Sequence, residues 1–265
     1  MRTDPSRGSA KVEVERRGAV TILWLNRPDV HNAIDAETAR LLHGAILDIR
    51  DDVGTRVLLV SGRGGRAFSS GADLTDGANL FAGGEDPTSG PLQFSGLDPG
   101  KPSIAAIEGY CFAGGLELAC WCDFRVAGDT AEFGVLNRRW GIPLVDGGTQ
   151  RLPRIVGLSS ALWLIETGIR IDASRAREIG LVQEVVPAGG ALARAVALAE
   201  RIAEYPRASL VADRSSALAA HGVRLPEGLA IEERGGIPTL SDPQFARGLE
   251  RYASGERPEP PRPAG

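Results

Sequence analysis

Hydrophobic and polar positions follow two kinds of pattern in the first half of the chain. Short apolar runs predict strands at Val12 to Arg16, Val20 to Leu25, Arg56 to Val60, Ser103 to Ile107, Phe124 to Ala127 and Ala131 to Gly134. Apolar positions near helical spacing predict a helix from Asp35 to about Arg50. Because strands and helices alternate here, the sequence predicts an α/β core.

The second half of the chain carries mainly helical patterns. The predicted helices are Gly148 to Ile155, Ser159 to Thr167, Ala173 to Ile179, Ala191 to Ala203 and Ala208 to His221. One or two further helices are predicted from Leu229 to near Tyr252. This half is therefore expected to form a helical layer after the α/β core.

Composition along the chain suggests four regions. Residues 1–10 and 255–265 are polar or rich in proline, and we expect a flexible N-terminal arm and a flexible tail. Between them, we expect a core at 11–190 and a C-terminal helical region at 191–254. The segment from Thr75 to Gly100 is rich in Gly, Pro, Asp and Ser, which predicts a long surface loop. Such loops often act as functional lids.

Composition and charge exclude several classes of function. Of 265 residues, 43% are hydrophobic and 24% are charged, and the net charge of −4 gives no reason to expect nucleic acid or an anionic membrane as a partner. Since no apolar stretch is long enough to span a bilayer, we expect a cytoplasmic protein. The three cysteines lie within one apolar stretch, which favours buried thiols in a reducing compartment over a metal site.

The most informative segment is IEGYCFAGGLELACWCD, from Ile107 to Asp123. It reads as a strand, a glycine pair and a helix with Glu117 in its first turn. Free amides at a helix start favour a developing negative charge, and a nearby carboxylate can move a proton. Glu117 can equally cap its own helix. Asp146, before Gly147-Gly148-Thr149, has the same two interpretations: a catalytic acid or a simple helix-start residue.

Two other motifs have weaker support. The segment Gly62 to Ala67 matches G-x-G-x-x-A, but no amphipathic helix opens from it and no acidic residue ends a second strand about 20 residues later. A nicotinamide site is therefore disfavoured. Ser69-Ser70-Gly71 lacks a G-x-S-x-G elbow and the three histidines are scattered, so a serine hydrolase is also poorly supported.

Several segments together resemble the crotonase superfamily, which includes enoyl-CoA hydratases and isomerases. They are LNRPDVHNA, GRAFSSGADL, KPSIAAIEGYCFAGGLELACWCD, WGIPLVDGGTQRLPRIVG and TGIRIDASRAREIGLVQEVVP, and the resemblance covers about residues 12–253. It implies a crotonase-like spiral of ββα repeats with a helical C-terminal trimerisation region. It also implies an acyl-CoA thioester substrate, no cofactor beyond the coenzyme A of the substrate, and a homotrimer or a dimer of trimers.

The resemblance also implies roles for individual residues. The backbone amides of Ala72 and Gly114 would form the oxyanion hole for a thioester enolate. The remaining implied contacts to the substrate or its coenzyme A involve Asn32 and Ala33 at the adenine end, and Ser70, Asp73, Leu74 and Asn137.

The sequence departs from the family pattern at the second catalytic glutamate of the hydratases. Glu117 matches the first glutamate, but the second position is Asn137, whose amide can hold a water but cannot usefully exchange a proton near pH 7. Asp146 can compensate if it faces the acyl group. We therefore expect hydration of a 2-enoyl-CoA, and two alternatives stay open: isomerisation of an enoyl- or dienoyl-CoA by Glu117 and Asp146, and acyl-CoA binding without turnover. Trp140 is expected to pack at a helix end rather than to form a substrate wall.

Overall fold

A computed structural model gives the fold of residues 10–82, 84, 86–260 and 262. Its strands are β1 Val12–Arg17, β2 Val20–Leu25, β3 Val57–Gly62, β4 Ala67–Ser69, β5 Ser103–Ile107, β6 Tyr110–Phe112, β7 Phe124–Gly128, β8 Glu132–Gly134, β9 Ile171–Asp172 and β10 Glu184–Val186. Its α-helices are α1 Ala36–Asp51, α2 Gly77–Leu80, α3 Gly114–Trp121, α4 Gly148–Val156, α5 Leu158–Thr167, α6 Ala173–Glu178, α7 Ala191–Glu204, α8 Arg207–Ala219, α9 Leu225–Gly236 and α10 Pro243–Ala253.

Six strands form the larger sheet in the order β1-β2-β3-β5-β7-β10. The pair β1-β2 is antiparallel, and the remaining pairs are parallel. Helix α7 packs on one face of this sheet through the buried small side chains of Ala191, Ala195 and Ala199, spaced one turn apart. These small residues allow a close approach of helix and sheet, and the buried apolar runs of β2, β3 and β5 supply the facing surface.

Four short strands form the second sheet in the order β4-β6-β8-β9. Strands β4, β6 and β8 are parallel, so their carboxyl ends lie at one edge. Helix α3 begins at Gly114, soon after β6 ends at Phe112, and its eight residues are all buried. The glycine pair and Glu117 are therefore held inside the protein at the edge of this sheet.

The α/β prediction is confirmed, and most predicted bounds lie within one or two residues of the observed ones. Helix α1 begins after Asp35, whose side chain accepts a hydrogen bond from the Thr38 N–H as the N-cap. No helix opens after Gly62, since the chain continues into β4. Helix α9 begins earlier than expected, at Leu225, because Pro226 suits the first turn of a helix.

Two parts of the prediction need correction. The segment from Thr75 to Gly100 is not only a surface loop, because it contains α2 and buries Leu92 and Phe94 completely or nearly so. Strands β4, β9 and β10 were not predicted, since two or three residues are too few to show a period. The four predicted regions stay a prediction. The proposed arm lies outside the described residues except for position 10.

The last three α-helices bury little of their apolar surface within the chain. Helices α8, α9 and α10 contain no buried residue, and large apolar side chains are exposed along them: Leu218, Leu225, Leu229, Leu249 and Tyr252. Among the described residues, no helix has both the length and the apolar character needed to cross a membrane. An amphipathic helix gains most of its stability from burying its apolar face. These helices are thus incompletely packed in a single chain.

Two backbone segments approach each other closely at the start of α3. A Cβ atom added to Gly71 would lie 2.6 Å from the Gly114 nitrogen, and one added to Gly115 would lie 2.3 Å from the Ser69 carbonyl oxygen. Ala113, which directly precedes Gly114, has φ 50° and ψ −122°, a backbone conformation that strongly favours glycine. The chain therefore stores backbone strain next to this glycine pair.

Replacing Ala113 with glycine should relieve this strain. Such strain costs about 1–3 kcal/mol. An added glycine costs roughly 0.4–1 kcal/mol because it raises the conformational entropy of the unfolded chain. The free energy of unfolding of A113G should therefore be about 1 kcal/mol higher than that of the parent protein. Urea unfolding measures the change. The matched control is A188G, an exposed alanine without positive φ, which should lose stability. Equal destabilisation of both variants would contradict the interpretation.

Candidate active site

A cavity of about 210 Å³ lies where α3, the segment after β8 and the start of α4 meet. Its polar or charged side chains include Glu117, Asn137 and Asp146. Most of its remaining wall is apolar and comes from Leu74, Phe81, Leu92, Phe112, Leu136, Trp140, Ile142, Pro143 and Val145. Few converging polar groups in an apolar cavity are typical of a small-molecule site.

Glu117 is held by backbone donors from outside its own helix. One carboxylate oxygen, Oε1, accepts hydrogen bonds from the Asp146 N–H at 2.9 Å and from the Gly148 N–H at 2.8 Å. The side chain therefore does not cap α3, which contradicts the capping interpretation. Among the described residues, no hydrogen-bond donor contacts the other oxygen, Oε2. This oxygen is left for a proton or a ligand, and the residue is only 4% exposed.

Asp146 is bound in the same way by a different segment. Its Oδ1 accepts a hydrogen bond from the Leu92 N–H at 2.9 Å, and no donor in the described part of the chain contacts Oδ2. Gly147, which has no side chain to cap with, is the N-cap of α4, so the helix-start interpretation of Asp146 is wrong. The residue is 3% exposed and lines the cavity together with Glu117.

Burial makes both carboxyl groups unusually basic. Burial, together with the negative charge of Asp146, raises the pKa of Glu117 to about 7, while the backbone donors at Gly148 and Asp146 and the charge of Arg151 oppose this rise. Burial also raises the pKa of Asp146 to about 6 against the hydrogen bond from Leu92. Between about pH 6 and about pH 7 the pair therefore holds close to one proton, which suits one acid and one base in the same site.

Two backbone amides lie beside the carboxyl pair. Ala72 and Gly114 line the cavity, and a Cβ atom added to Gly114 would lie 3.5 Å from the Ala72 nitrogen. In the described residues, neither N–H donates a hydrogen bond to the protein. Gly114 is also the first residue of α3, where the helix dipole favours negative charge. Two unpaired donors close together can stabilise an oxyanion.

Asn137 contributes a third polar group, with a fixed amide orientation. Its Nδ2 donates to the Ile142 carbonyl at 2.7 Å, while its buried Oδ1 has no hydrogen-bond partner among the described residues. The side chain belongs to a short 3-10 helix, Leu136–Trp140, that follows β8. An unpaired buried acceptor costs roughly 1–3 kcal/mol, and such costs are typical of functional positions.

Of the other residues predicted to contact the substrate, some line the cavity and others lie in the loops around it. Ser70 and Leu74 line the cavity, whereas Asn32, Ala33 and Asp73 are outside its lining. The Asn32 amide bonds to the backbone at Arg27, Arg63 and Ala67. Arg27 also donates to the Ala33 carbonyl and to the Asp73 carboxylate. The side chains of Asn32 and Asp73 thus brace the loops, and a coenzyme A contact for these three residues stays a prediction.

Sequence reasoning missed several wall residues. Leu92 supplies both a wall side chain and the donor to Asp146, and Phe81 and Phe112 form apolar wall. Leu92 and Phe81 lie in the irregular segment that carries no periodic signal. Trp140 was expected to pack at a helix end, but it is 71% exposed and lines the cavity. Trp140 is the last residue of the 3-10 helix, which ends at Gly141 in the left-handed conformation.

Comparisons with known proteins show the family of this chain. A sequence profile described as enoyl-CoA hydratase/isomerase matches residues 15–260. A probable enoyl-CoA hydratase of Mycobacterium bovis is 35% identical over 226 residues, which cover 83% of this chain and 86% of that protein. A crotonyl-CoA hydratase of Syntrophomonas wolfei is 38% identical over 176 residues, or 65% of this chain and 68% of that protein.

Solved structures show the same relationship. The crystal structure of an enoyl-CoA hydratase from Mycobacterium tuberculosis has a TM-score of 0.87 and 33% identity, covering 94% of this chain and 98% of that one. An enoyl-CoA hydratase from Bacillus anthracis has a TM-score of 0.85 and 29% identity over 94% and 98% of the two chains. With the fold, the glycine pair and Glu117 in place, these matches establish that the chain belongs to the enoyl-CoA hydratase/isomerase family, the crotonase superfamily.

Proposed function

We propose that this protein is an enzyme that hydrates a 2-enoyl-CoA thioester. The observation that carries the proposal is the pair of buried carboxyl groups beside two unpaired backbone amides in one apolar cavity. The names of relatives support the same substrate class, since they include enoyl-CoA and crotonyl-CoA hydratases. The coenzyme A belongs to the substrate, and the proposed steps need no separate cofactor.

The two amides would stabilise the thioester oxygen. When water adds to the β-carbon of an enoyl thioester, negative charge moves onto the carbonyl oxygen and forms an enolate. The N–H groups of Ala72 and Gly114 would donate to that oxygen, and their value lies in being unpaired before the charge develops. Ser70 and Leu74 would flank the pantetheine arm, with Asn32, Ala33 and Asp73 on the coenzyme A side.

The singly protonated carboxyl pair would move the protons. Asp146, with the lower pKa, would accept a proton from the attacking water through Oδ2. Glu117, with the higher pKa, would give the proton on Oε2 to the α-carbon. Asn137 would orient the water or the new hydroxyl group rather than exchange a proton. Isomerisation of an enoyl- or dienoyl-CoA is the second candidate, because the same pair could shift a proton between two carbons.

Neutral substitutions of the pair should abolish most turnover of crotonyl-CoA. We expect E117Q to lower kcat by two to four orders of magnitude and D146N by at least one order, since a positioned acid or base contributes roughly 10²–10⁴-fold. Loss of the conjugated enoyl absorbance measures hydration. The exposed Glu166 on α5 provides the control E166Q, which should retain activity. If the parent protein converts neither 2-enoyl- nor 3-enoyl-CoA substrates of any chain length, acyl-CoA binding without turnover replaces this proposal.

The pH dependence of turnover should be bell-shaped. Below about pH 6 Asp146 becomes protonated and the base is lost, and above about pH 7 Glu117 loses the proton it must donate. The maximum of kcat/KM is therefore expected between these values, and D146N should lack the acidic limb. A rate that stays constant from about pH 5 to about pH 8 would exclude the shared proton.

A second-site variant tests whether Asp146 replaces the missing glutamate. In the D146N background, N137E should restore part of the hydration activity because it returns a carboxyl group to the same cavity. In the parent protein, N137E should not raise turnover, since a third buried carboxyl group adds like-charge repulsion. A tenfold gain in the parent protein would mean that Asp146 does not serve as the partner of Glu117.

We further propose a homotrimer, alone or paired into a dimer of trimers. The exposed apolar faces of α8, α9 and α10 support an assembly, because these helices contain no buried residue within one chain. A cavity of about 810 Å³ between them is lined by Leu229, Ile237, Leu240, Phe245 and Leu249. Sedimentation equilibrium measures the assembled mass, and a monomer at micromolar concentration would contradict the proposal.

A further inference from the structure

Arg151 joins two segments that lie next to the carboxyl pair of Glu117 and Asp146. It lies in the first half of α4, and its Nη2 donates to the Ser95 carbonyl at 2.6 Å. Its Nη1 donates over a longer 3.5 Å to the Asp146 carbonyl. The guanidinium packs tightly on Gly147, where an added Cβ atom would lie 1.9 Å from Nη1. One side chain therefore ties the irregular segment around Ser95 to the turn that begins α4.

These two segments supply the backbone donors to both carboxyl groups. The segment around Ser95 includes Leu92, whose N–H binds Asp146 Oδ1, and a hydrogen bond from the Ser95 N–H to the Ser89 carbonyl closes this segment on itself. The turn supplies the N–H groups of Asp146 and Gly148, which bind Glu117 Oε1. A change in the distance between the two segments would thus alter the hydrogen bond from Leu92 to Asp146, and a shift of the turn would also move the two donors to Glu117.

The charge of Arg151 has no direct counter-ion among the described residues, since its hydrogen-bond partners are backbone carbonyls. Burial lowers its pKa, whereas the nearby Glu117 and the thiols of Cys120 and Cys122 raise it. Burial raises the pKa of both thiols, to about 11 for Cys120, so they are neutral near pH 7. The other charged or titratable residues that line the hollow around Arg151 are Asp98, Asp123, Arg154, Arg214 and His221.

Among the described residues, none of these neighbours forms an ion pair with Arg151. Arg214 forms ion pairs with both Asp98 and Asp123, so these three charges interact mainly with one another and sum to one negative charge. Arg154 and His221 are exposed to solvent, where the field of a charge is screened. Arg151 is thus a partly buried cation, and its charge acts on Glu117.

We propose that Arg151 is a positioning residue of the active site: it fixes the two segments that carry the backbone donors of both carboxyl groups, and it holds a positive charge near Glu117. The inference rests on the proposed function only for the use of the pair in catalysis. Its effect on geometry and protonation can be measured without substrate. Arg151 is not expected to touch the substrate, because it does not line the cavity that contains Glu117 and Asp146.

Variants at position 151 separate charge from geometry. R151M removes the cation and both hydrogen bonds, R151Q keeps one side-chain donor, and R151K keeps the charge on a single nitrogen. Carboxyl ¹³C NMR titration of the full-length protein, assigned with E117Q and D146N, should show Glu117 titrating about one pH unit higher in R151M and R151Q. R151K should titrate close to the parent protein, but the amides of Leu92, Asp146 and Gly148 should exchange with solvent at least tenfold faster than in the parent.

Matched controls complete the test. R154M removes an exposed arginine from the same helix and H221Q removes the titratable histidine of the same hollow, and neither should move the titration of the pair or these exchange rates. A titration of R151M that coincides with R154M, or of R151K that moves as far as R151M, overturns the inference. If R151M does not fold, the titration of R151Q takes its place in both comparisons.

The activity profile provides a separate readout. Where the parent protein turns over an enoyl-CoA, the alkaline limb of the pH profile, which reports Glu117, should move to higher pH in R151M and stay in place in R151K. An NMR shift without any turnover in the parent protein would refute the proposed hydration and leave the role of Arg151 supported. Turnover in the parent protein, with a pH profile that is unchanged in R151M, would support the proposed hydration and refute the role of Arg151.

Discussion

The burial of the Glu117 carboxyl group is the constraint on which the arrangement of the site depends. A buried carboxylate must find hydrogen-bond donors, and Glu117 takes them from the turn that begins α4. This requirement brings α4 against α3 and places Asp146 in the same cavity. Asp146 in turn requires a donor, which comes from the otherwise irregular segment at Leu92. Two buried acids thereby organise three parts of the chain that are distant in sequence.

Backbone groups rather than side chains perform most of this work. The donors to Glu117 and Asp146 are peptide N–H groups, and the two unpaired donors at Ala72 and Gly114 are peptide groups as well. Peptide donors are fixed by the fold and need little reorganisation when charge develops. The close approach at Gly71 and the strained conformation of Ala113 are the structural cost of presenting them.

Asn137 and Asp146 line the same cavity as Glu117 but are held by different segments. The Asn137 amide donates to the Ile142 carbonyl, whereas the Asp146 carboxylate accepts from the Leu92 N–H. Burial raises the pKa of both Glu117 and Asp146, so the pair keeps a proton to a higher pH than free carboxyl groups do, and the charge of Arg151 opposes this rise at Glu117. The chemistry of the site is therefore tuned by its supports as much as by its own carboxyl groups.

Apolar periodicity was sufficient to predict the α/β core and the long helices, and the glycine pair at a helix start was sufficient to predict an anion site beside Glu117. The place of Ala72 in that site followed from the family resemblance and not from a local signal. Contacts between distant segments were needed to show that Glu117 does not cap α3, that Asp146 does not cap α4, and that Leu92 and Trp140 form cavity wall. These contacts could not be predicted because hydrogen bonds and burial between segments far apart in the chain leave no periodic trace in either segment. Local propensity describes what each element is, and long-range packing decides which groups each side chain meets.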